Sequence, residues 1–159
     1  AWYTDERDAF VRVLSAVFLH AGAALACADL ILNGTLERFP DLRLGIVELS
    51  AVWVPLFLMM LDGGSSFTHQ LNGRAPATLA LHPSDYFRRQ VRVSSFSYEN
   101  PAALQQQLGG DILMCCSDYP HSEGTSTPIA DYLVGGTGPS PASAAGLFHD
   151  NAAFLLRRV

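Results

Sequence analysis

The chain has 159 residues, of which 49% are hydrophobic and 16% are charged, and its formal net charge is −5. This length suits a single domain over residues 1–159 with a substantial core, and the apolar content excludes global disorder. All ten basic residues are arginines, scattered apart from two pairs, so no basic stripe marks a nucleic-acid groove and no nucleic-acid partner is expected.

The first predicted helix begins at Asp5 or Asp8, because acidic side chains favour a helix N-terminus. Apolar residues at helical spacing follow, and the alanine-rich stretch 21–32 continues the helix, with a break expected near Gly22. Asn33–Gly34 is a typical helix stop. A buried or half-buried helix is therefore predicted before the first strand.

Strands and helices alternate through the rest of the chain. The predicted strands cover residues 42–49, 91–96 and 112–117. The predicted helices cover residues 53–61, 84–90 and 101–108, with a last helix after the stretch 135–143 that runs to Arg158. Asn100–Pro101 begin the helix at 101–108, and Gly109–Gly110 end it. Residues 36–40 form a connector, Gly63–Gly64 begin a long connection, and Ser84 is the predicted N-cap of its helix. Because strands separated by helices need crossovers, the sheet is predicted to be parallel and covered on both faces.

Each predicted strand ends in polar residues, namely Glu48–Ser50, Ser94–Ser97 and Ser117–Asp118. The carboxyl ends of parallel strands meet at one rim, which is where chemistry takes place in α/β proteins. The third strand is the most informative, because Asp118 and His121 directly follow an apolar run. Capping of the next helix is the alternative role for Asp118. The convergence of all three strand ends favours a functional site.

Two apolar stretches, residues 13–32 and 52–61, raise the question of membrane insertion. His20 and Asp29 interrupt the first, and the second is too short to span a bilayer, so no membrane association is predicted. The N-terminal sequence also lacks the basic and apolar regions of a signal peptide.

The cysteines at positions 27, 115 and 116 include no CxxC pair for zinc. Cys115 and Cys116 are neighbours on a predicted strand and so point to opposite faces, which does not suit a structural disulfide. Free thiols in a reducing cytosol are predicted, and the expected location is cytoplasmic. A redox role for the adjacent pair is the alternative.

Several motifs together resemble the amidohydrolase-related family that contains the aminocarboxymuconate-semialdehyde decarboxylase type of enzyme. They occupy residues 34–43, 47–55, 61–62, 117–124 and 150–153. The motifs are specific together, whereas any one of them alone would be weak, and their order and spacing match from about Asp29 to Leu155. The resemblance implies a (β/α)8 barrel with a divalent metal at the carboxyl rim of its strands.

On that register, the three predicted strands resemble the sixth, seventh and eighth of the barrel. A whole barrel takes about 250 residues, so the resemblance covers the C-terminal part only. The implied fold class is α/β, a partial TIM-type (β/α)8 barrel that contains the last three parallel strands with their helices.

The family's metal site combines a His-X-His pair from the first strand, a histidine from the fifth and an aspartate that ends the eighth. Asp118 matches that aspartate, whereas the His-X-His pair has no counterpart here. His20 lies after the position expected for the fifth-strand ligand, and we predict a packed or capping histidine. Relatives often carry a histidine at the end of the sixth strand, but this chain has Glu48, followed by Trp53 in a Glu-X4-Trp pattern that many relatives share.

The resemblance implies a divalent metal, with zinc first and manganese or iron as alternatives. Such a metal lowers the pKa of a bound water toward neutrality. Asp118 is the implied metal ligand and proton carrier. Glu48 is predicted as a second catalytic residue that contacts substrate or holds the water, with a salt bridge to an arginine as the alternative. His121 and Trp53 are predicted to bind substrate; the alternatives are a solvated turn and core packing, respectively.

The predicted function is that of a metal-dependent hydrolase of the amidohydrolase type, or a decarboxylase, acting on a small organic substrate in the full-length protein. The isolated chain is expected to be inactive, because most of the metal ligands are missing. The alternative is a catalytically incompetent barrel fragment or an assembly subunit. Part of a barrel exposes two sheet edges, which promote association, so a homo-oligomer is a further expectation.

Overall fold

The computed structural model describes residue 13 and residues 17–72, 79–109, 111–121, 124–134 and 140–156. The strands are β1 (Leu44–Ile46), β2 (Val91–Ser95) and β3 (Leu113–Cys115). The helices are α1 (His20–Leu32), α2 (Thr35–Arg38), α3 (Val54–Asn72), α4 (Pro83–Gln90), α5 (Pro101–Leu108), α6 (Pro128–Leu133), α7 (Pro141–Ala145) and α8 (Asn151–Leu156). A 3-10 turn, Ser97–Glu99, follows β2, and a π turn, Gly146–Asp150, joins α7 to α8.

The three strands form one parallel sheet in the order β1-β2-β3. Leu44 pairs with Val91, and Val93 pairs with Leu113, so the carboxyl ends of the strands lie side by side. The predicted α/β architecture with a parallel sheet is confirmed. Within the described residues β1 and β3 are the sheet edges.

The strands β1 and β3 are shorter than predicted, with three residues each. Glu48 and Asp118 follow them with φ angles of 60° and 50°, which is the left-handed region of the backbone. A residue in that conformation turns the chain out of the extended path and so ends strand pairing. The hydrophobic pattern contains no information about this turn.

The helix α3 extends eleven residues beyond the predicted end at Leu61, so the expectation that Gly63–Gly64 begin a connection is wrong. A helical glycine costs roughly 1 kcal/mol relative to alanine but does not prevent the hydrogen-bond ladder from continuing. The Thr68 hydroxyl also donates to the Gly64 carbonyl at 2.7 Å. By contrast Gly34 and Gly109 adopt φ angles of 71° and 64°, and each ends a helix as predicted.

Ser84 is not the N-cap of α4. The helix begins at Pro83, and His82 holds the N-cap position. Proline is favoured at the first position of a helix, because an N–H at that position would have no partner within the helix. Ser84 lies inside that turn, where its N–H donates to the Asp62 carboxylate at 2.9 Å. The contact connects α4 to α3.

Three further expectations differ from the structure. The one-turn helix α2 begins just before the connector at 36–40 and takes up its first three residues. The helix α1 passes through Gly22 without a break, and α6 had not been predicted. The predicted helix starts at Asp5 and Asp8 lie outside the described residues. The last helix is divided by the π turn and is described as far as Leu156.

The core fills the space between the sheet and the helices α1, α3, α4 and α5. Phe87 is fully buried, and its ring meets that of Phe57 edge to face at 5.8 Å between centroids. Phe57 in turn contacts Trp53 at 5.3 Å. This aromatic row leads from the core to the carboxyl rim of the sheet.

The opposite end of the sheet is held by α8. The Arg43 and Arg92 guanidinium groups lie 4.3 and 4.0 Å from the ring centroid of Phe154. The Asn151 amide donates to the Leu113 carbonyl at 2.9 Å and to the Asp111 carboxylate at 3.1 Å. The amino ends of the strands are therefore closed by packing and polar contacts.

The three cysteines are free, as predicted. Cys27 is buried in the core, and burial raises its pKa to about 11. Of the helices in the described part of the chain, none has the length and apolarity that crossing a bilayer requires.

Candidate functional site

The carboxyl ends of β1 and β2 are joined by a hydrogen bond. Glu48 follows β1, and its backbone N–H donates to the Ser94 hydroxyl of β2 at 2.9 Å. The left-handed backbone at Glu48 lets the chain turn at this point, and the side chain is exposed. No arginine of the described part lies within salt-bridge distance of Glu48. The glutamate therefore extends from the rim without the arginine pairing considered as its alternative role.

Asp118 lies three residues beyond β3 and is only 7% exposed. Its carboxylate oxygen Oδ1 is 2.7 Å from Nδ1 of His121. The loop folds back on itself, because the His121 N–H donates to the Asp118 carbonyl at 2.9 Å and the Thr125 N–H donates to the Ser117 carbonyl at 2.8 Å. Asp118 is thus a buried carboxylate held by an exposed imidazole.

Glu48, Asp118 and His121 form one cluster at the rim. One ligand atom from each lies within 4.8 Å of the others. Two carboxylates and an imidazole are the donor types that zinc, manganese and iron accept in proteins. The donor chemistry and spacing therefore fit a divalent cation bound by the rim.

A cleft of about 520 Å³ lies over this cluster. Its walls are mainly apolar and aromatic, and they are formed by Val17, Leu19, His20, Leu49, Ser50, Val52, Trp53, Phe96 and Tyr98, besides the three cluster residues. The His20 ring stacks on Trp53 at 5.4 Å between centroids, and Phe96 stacks on Tyr98 at the same distance. Such walls suit a small, flat ligand with a polar group directed at the cluster.

Three of the predicted site residues lie together in the cluster, and the others form the wall of the cleft. Asp118, Glu48 and His121 come together, and His121 contacts Asp118 directly. Trp53 forms part of the cleft wall, with its indole N–H bound to the Ser50 carbonyl at 2.9 Å. His20 packs, as predicted, but it packs against Trp53 at the cleft rather than in the core.

Glu99 is a buried residue of the site that the sequence had not indicated. Its carboxylate accepts the Ala51 N–H at 3.0 Å and the Phe96 N–H at 3.2 Å. It therefore fixes the loops that follow β1 and β2, which carry the two aromatic walls. The bond to Ala51 connects residues 48 positions apart, whereas the bond to Phe96 spans three residues. An acidic residue close after the second strand is therefore the local signal that could have suggested Glu99.

Replacing Glu99 with alanine is expected to lower the free energy of unfolding by about 1–3 kcal/mol, because the buried Ala51 N–H and the part-buried Phe96 N–H lose their acceptor. In a domain of this size that corresponds to a fall in Tm of roughly 2–4 °C per kcal/mol. Glu99→Gln keeps one acceptor oxygen and is expected to lose less. Calorimetry of both variants tests this, and an equal loss in the two would contradict a role for the retained oxygen.

Tyr132 joins the ends of β2 and β3. Its hydroxyl donates to the Ser95 carbonyl and accepts the Cys116 N–H at 3.1 Å. Burial raises the pKa of Tyr132 to about 12, so the hydroxyl remains protonated and able to donate. Burial also raises the pKa of Cys116, and Glu48 and Asp118 add to the rise. At neutral pH Cys116 is therefore a thiol, which does not favour a redox role.

Comparison with known proteins gives structural neighbours. No family model and no curated protein matches the chain. An amidohydrolase from Mycobacterium avium subsp. paratuberculosis K-10 superposes with a TM-score of 0.65 at 23% identity, which shows a shared fold. The 5-carboxyvanillate decarboxylase from Sphingomonas paucimobilis superposes with a TM-score of 0.60 at 28% identity.

Both matches cover 82% of this chain but only 32% and 38% of the neighbours, so the chain spans about a third of their length. The three-stranded parallel sheet with its helices is accordingly part of an α/β barrel, as predicted. The predicted resemblance is confirmed: this chain resembles part of the barrel of amidohydrolase-type enzymes.

Proposed function

We propose that the chain forms the Asp118-bearing part of a metal-dependent hydrolase or decarboxylase of the amidohydrolase type. The observation that supports this most directly is the cluster of Glu48, Asp118 and His121 at the carboxyl ends of parallel strands. In this proposal, further ligands come from the part of a complete barrel that the chain does not match.

The proposed cofactor is a divalent cation, zinc first, with manganese or iron as alternatives. When bound, such an ion supplies Lewis-acid polarisation of the substrate and activation of water. Asp118 would bind the cation through one carboxylate oxygen and would take up or return a proton through the other, and its Oδ1 also lies 2.7 Å from Nδ1 of His121. The exposed carboxylate of Glu48 is proposed as a second proton-transfer group or substrate contact.

The cleft walls are proposed to orient the substrate. Trp53, with His20 stacked on it, offers a flat apolar surface beside the cluster. His121 is placed at the edge, where it holds Asp118 and reaches the cleft. One structural neighbour acts on 5-carboxyvanillate, so small carboxylated aromatic compounds are the first proposed substrates. If the enzyme is a hydrolase instead of a decarboxylase, lactones and amides are the proposed substrates.

The decisive experiment measures the metal content and turnover of the full-length natural protein. Carbon dioxide release from carboxylated aromatics is compared with hydrolysis of lactones and amides. We expect bound divalent metal and turnover of one substrate class, and we expect both to be lost after chelation and restored by adding the metal back. Turnover that is unchanged in metal-free protein would contradict the proposal.

Glu48→Gln tests the second carboxylate. The substitution preserves the size of the side chain and removes its ability to carry a proton. The expected result in the full-length enzyme is a fall in kcat of about 10²-fold or more, because positioned acid–base groups contribute on that scale. Glu37→Gln is the matched control, since Glu37 precedes β1 instead of following it. If both variants keep wild-type kcat, Glu48 does not take part in the chemistry.

The second candidate is a barrel fragment or assembly subunit without activity of its own. It is favoured by the two sheet edges, β1 and β3, which have no further strand beside them within the described residues. Exposed edges promote association with other chains. A folded full-length protein with neither bound metal nor turnover would support this candidate over the enzyme.

A further inference from the structure

The outward face of α3 carries an apolar stripe along its whole length. Leu56, Met60, Phe67 and Leu71 are 60–69% exposed and follow one another at intervals of four, seven and four residues. At 3.6 residues per turn these positions lie on one side of the helix. The core-facing residues Val54, Leu58 and Leu61 lie on the other side.

The stripe is symmetric about its midpoint. Gly63–Gly64 lie at its centre, seven residues after Leu56 and seven residues before Leu71. A side-chain carbon added at either glycine would meet nothing within 4 Å, so the backbone is open to an approaching partner. Neither glycine ends the helix, although each favours a helix less than alanine does.

We propose that α3 packs antiparallel against α3 of a second copy of this chain, around a two-fold axis at Gly63–Gly64. Leu56 of one copy then meets Leu71 of the other, and Met60 meets Phe67. A two-fold interface uses the same patch on both copies, and the patch must be complementary to itself. The order of residues along the stripe meets that requirement, because reversing the helix pairs leucine with leucine and methionine with phenylalanine.

The size and charge of the stripe suit this occupant. It is about 22 Å long at 1.5 Å per residue. Covering its large side chains, with exposed Met59 beside them, buries roughly 1,000 Å² over two copies, near the lower limit for specific interfaces. The one carboxylate in α3 belongs to Asp62, which binds the Ser84 N–H at 2.9 Å instead of joining the stripe. No like charges therefore meet across the axis.

The first test measures the mass of the full-length natural protein by sedimentation at several concentrations. We expect a dimer, and we expect Phe67→Glu to shift the protein to monomer with an unchanged circular dichroism spectrum. Leu25→Glu is the matched control, because Leu25 is an apolar residue on α1 that is more exposed than Phe67, and this variant should remain dimeric. A monomeric wild type, or a dimer that Phe67→Glu leaves intact, would overturn the proposal.

The second test checks the register and remains informative if Phe67→Glu fails to fold. A variant with Met60→Cys and Phe67→Cys is expected to form covalent dimers under mild oxidation. A variant with Leu56→Cys and Phe67→Cys places its thiols about one helical turn out of register and should crosslink far more slowly. Equal crosslinking of the two variants would exclude the proposed pairing. This inference is independent of the metal site, so failure of either one leaves the other standing.

Discussion

Asp118→Asn is expected to lower kcat of the full-length enzyme by roughly 10²–10⁴-fold while the protein stays folded. The amide keeps an oxygen that His121 can contact, but it cannot carry a proton and binds a cation weakly. Asparagine is the right replacement because it tolerates the left-handed backbone at this position better than other uncharged residues of similar size. The measurements are steady-state kinetics, bound metal and thermal unfolding.

Asp85→Asn is the control for this variant. Asp85 also contacts a nitrogen of a nearby side chain, at 3.2 Å from Arg88, but it lies in the first turn of α4, and we expect unchanged turnover. Near-normal kcat in Asp118→Asn would refute the assigned role. Loss of activity together with loss of the folded state would instead show that the buried carboxylate is needed for structure.

Gly124→Ala is expected to disrupt the site without changing any cluster residue. A side-chain carbon at Gly124 would clash with the backbone carbonyl oxygen and carbonyl carbon of Asp118. Because these are backbone atoms, the loop that carries Asp118 must move. We expect a fall in kcat of about 10²-fold, which is the scale of a 1 Å misplacement, and a loss of about 1–3 kcal/mol of unfolding free energy.

Gly22→Ala provides the comparison for this substitution. Gly22 lies within α1, and an added carbon there meets nothing within 4 Å. The same change should therefore stabilise the protein by about 0.5–1 kcal/mol, since alanine favours the helix. Chemical denaturation of both variants measures the difference. If Gly124→Ala is as stable and as active as Gly22→Ala, the close packing around Asp118 does not constrain the site.

The elements that the sequence predicted well depend on local chemistry. Asn33–Gly34 ends α1, and Asn100 caps α5 by accepting the Ala103 N–H at 3.2 Å. Such signals act within a few residues and can be recognised in a single chain. The length of α3 could not be predicted in the same way, because Gly63–Gly64 are compatible with both a helix and a turn until φ is known.

The site was predicted in part. The polar strand ends indicated a rim, and the structure brings Glu48, Asp118 and His121 together there. The roles of these residues in catalysis, and that of Trp53 in substrate binding, stay predictions. The bond between Glu99 and Ala51 and the stacking of His20 on Trp53 were not predictable, because each joins residues more than thirty positions apart that share no local pattern.

The positive φ angles at Glu48 and Asp118 limit which amino acids can replace these residues during evolution. Glutamate in this conformation costs on the order of 1 kcal/mol that glycine would not. Selection for foldability alone would therefore enrich glycine or asparagine at position 48 and penalise valine or isoleucine there. Under the role proposed for Glu48, stability and reactivity impose opposing pressures on that residue. An acidic residue with a positive φ angle directly after a strand is therefore a useful search criterion for candidate active sites in barrels that lack some of the expected histidine ligands.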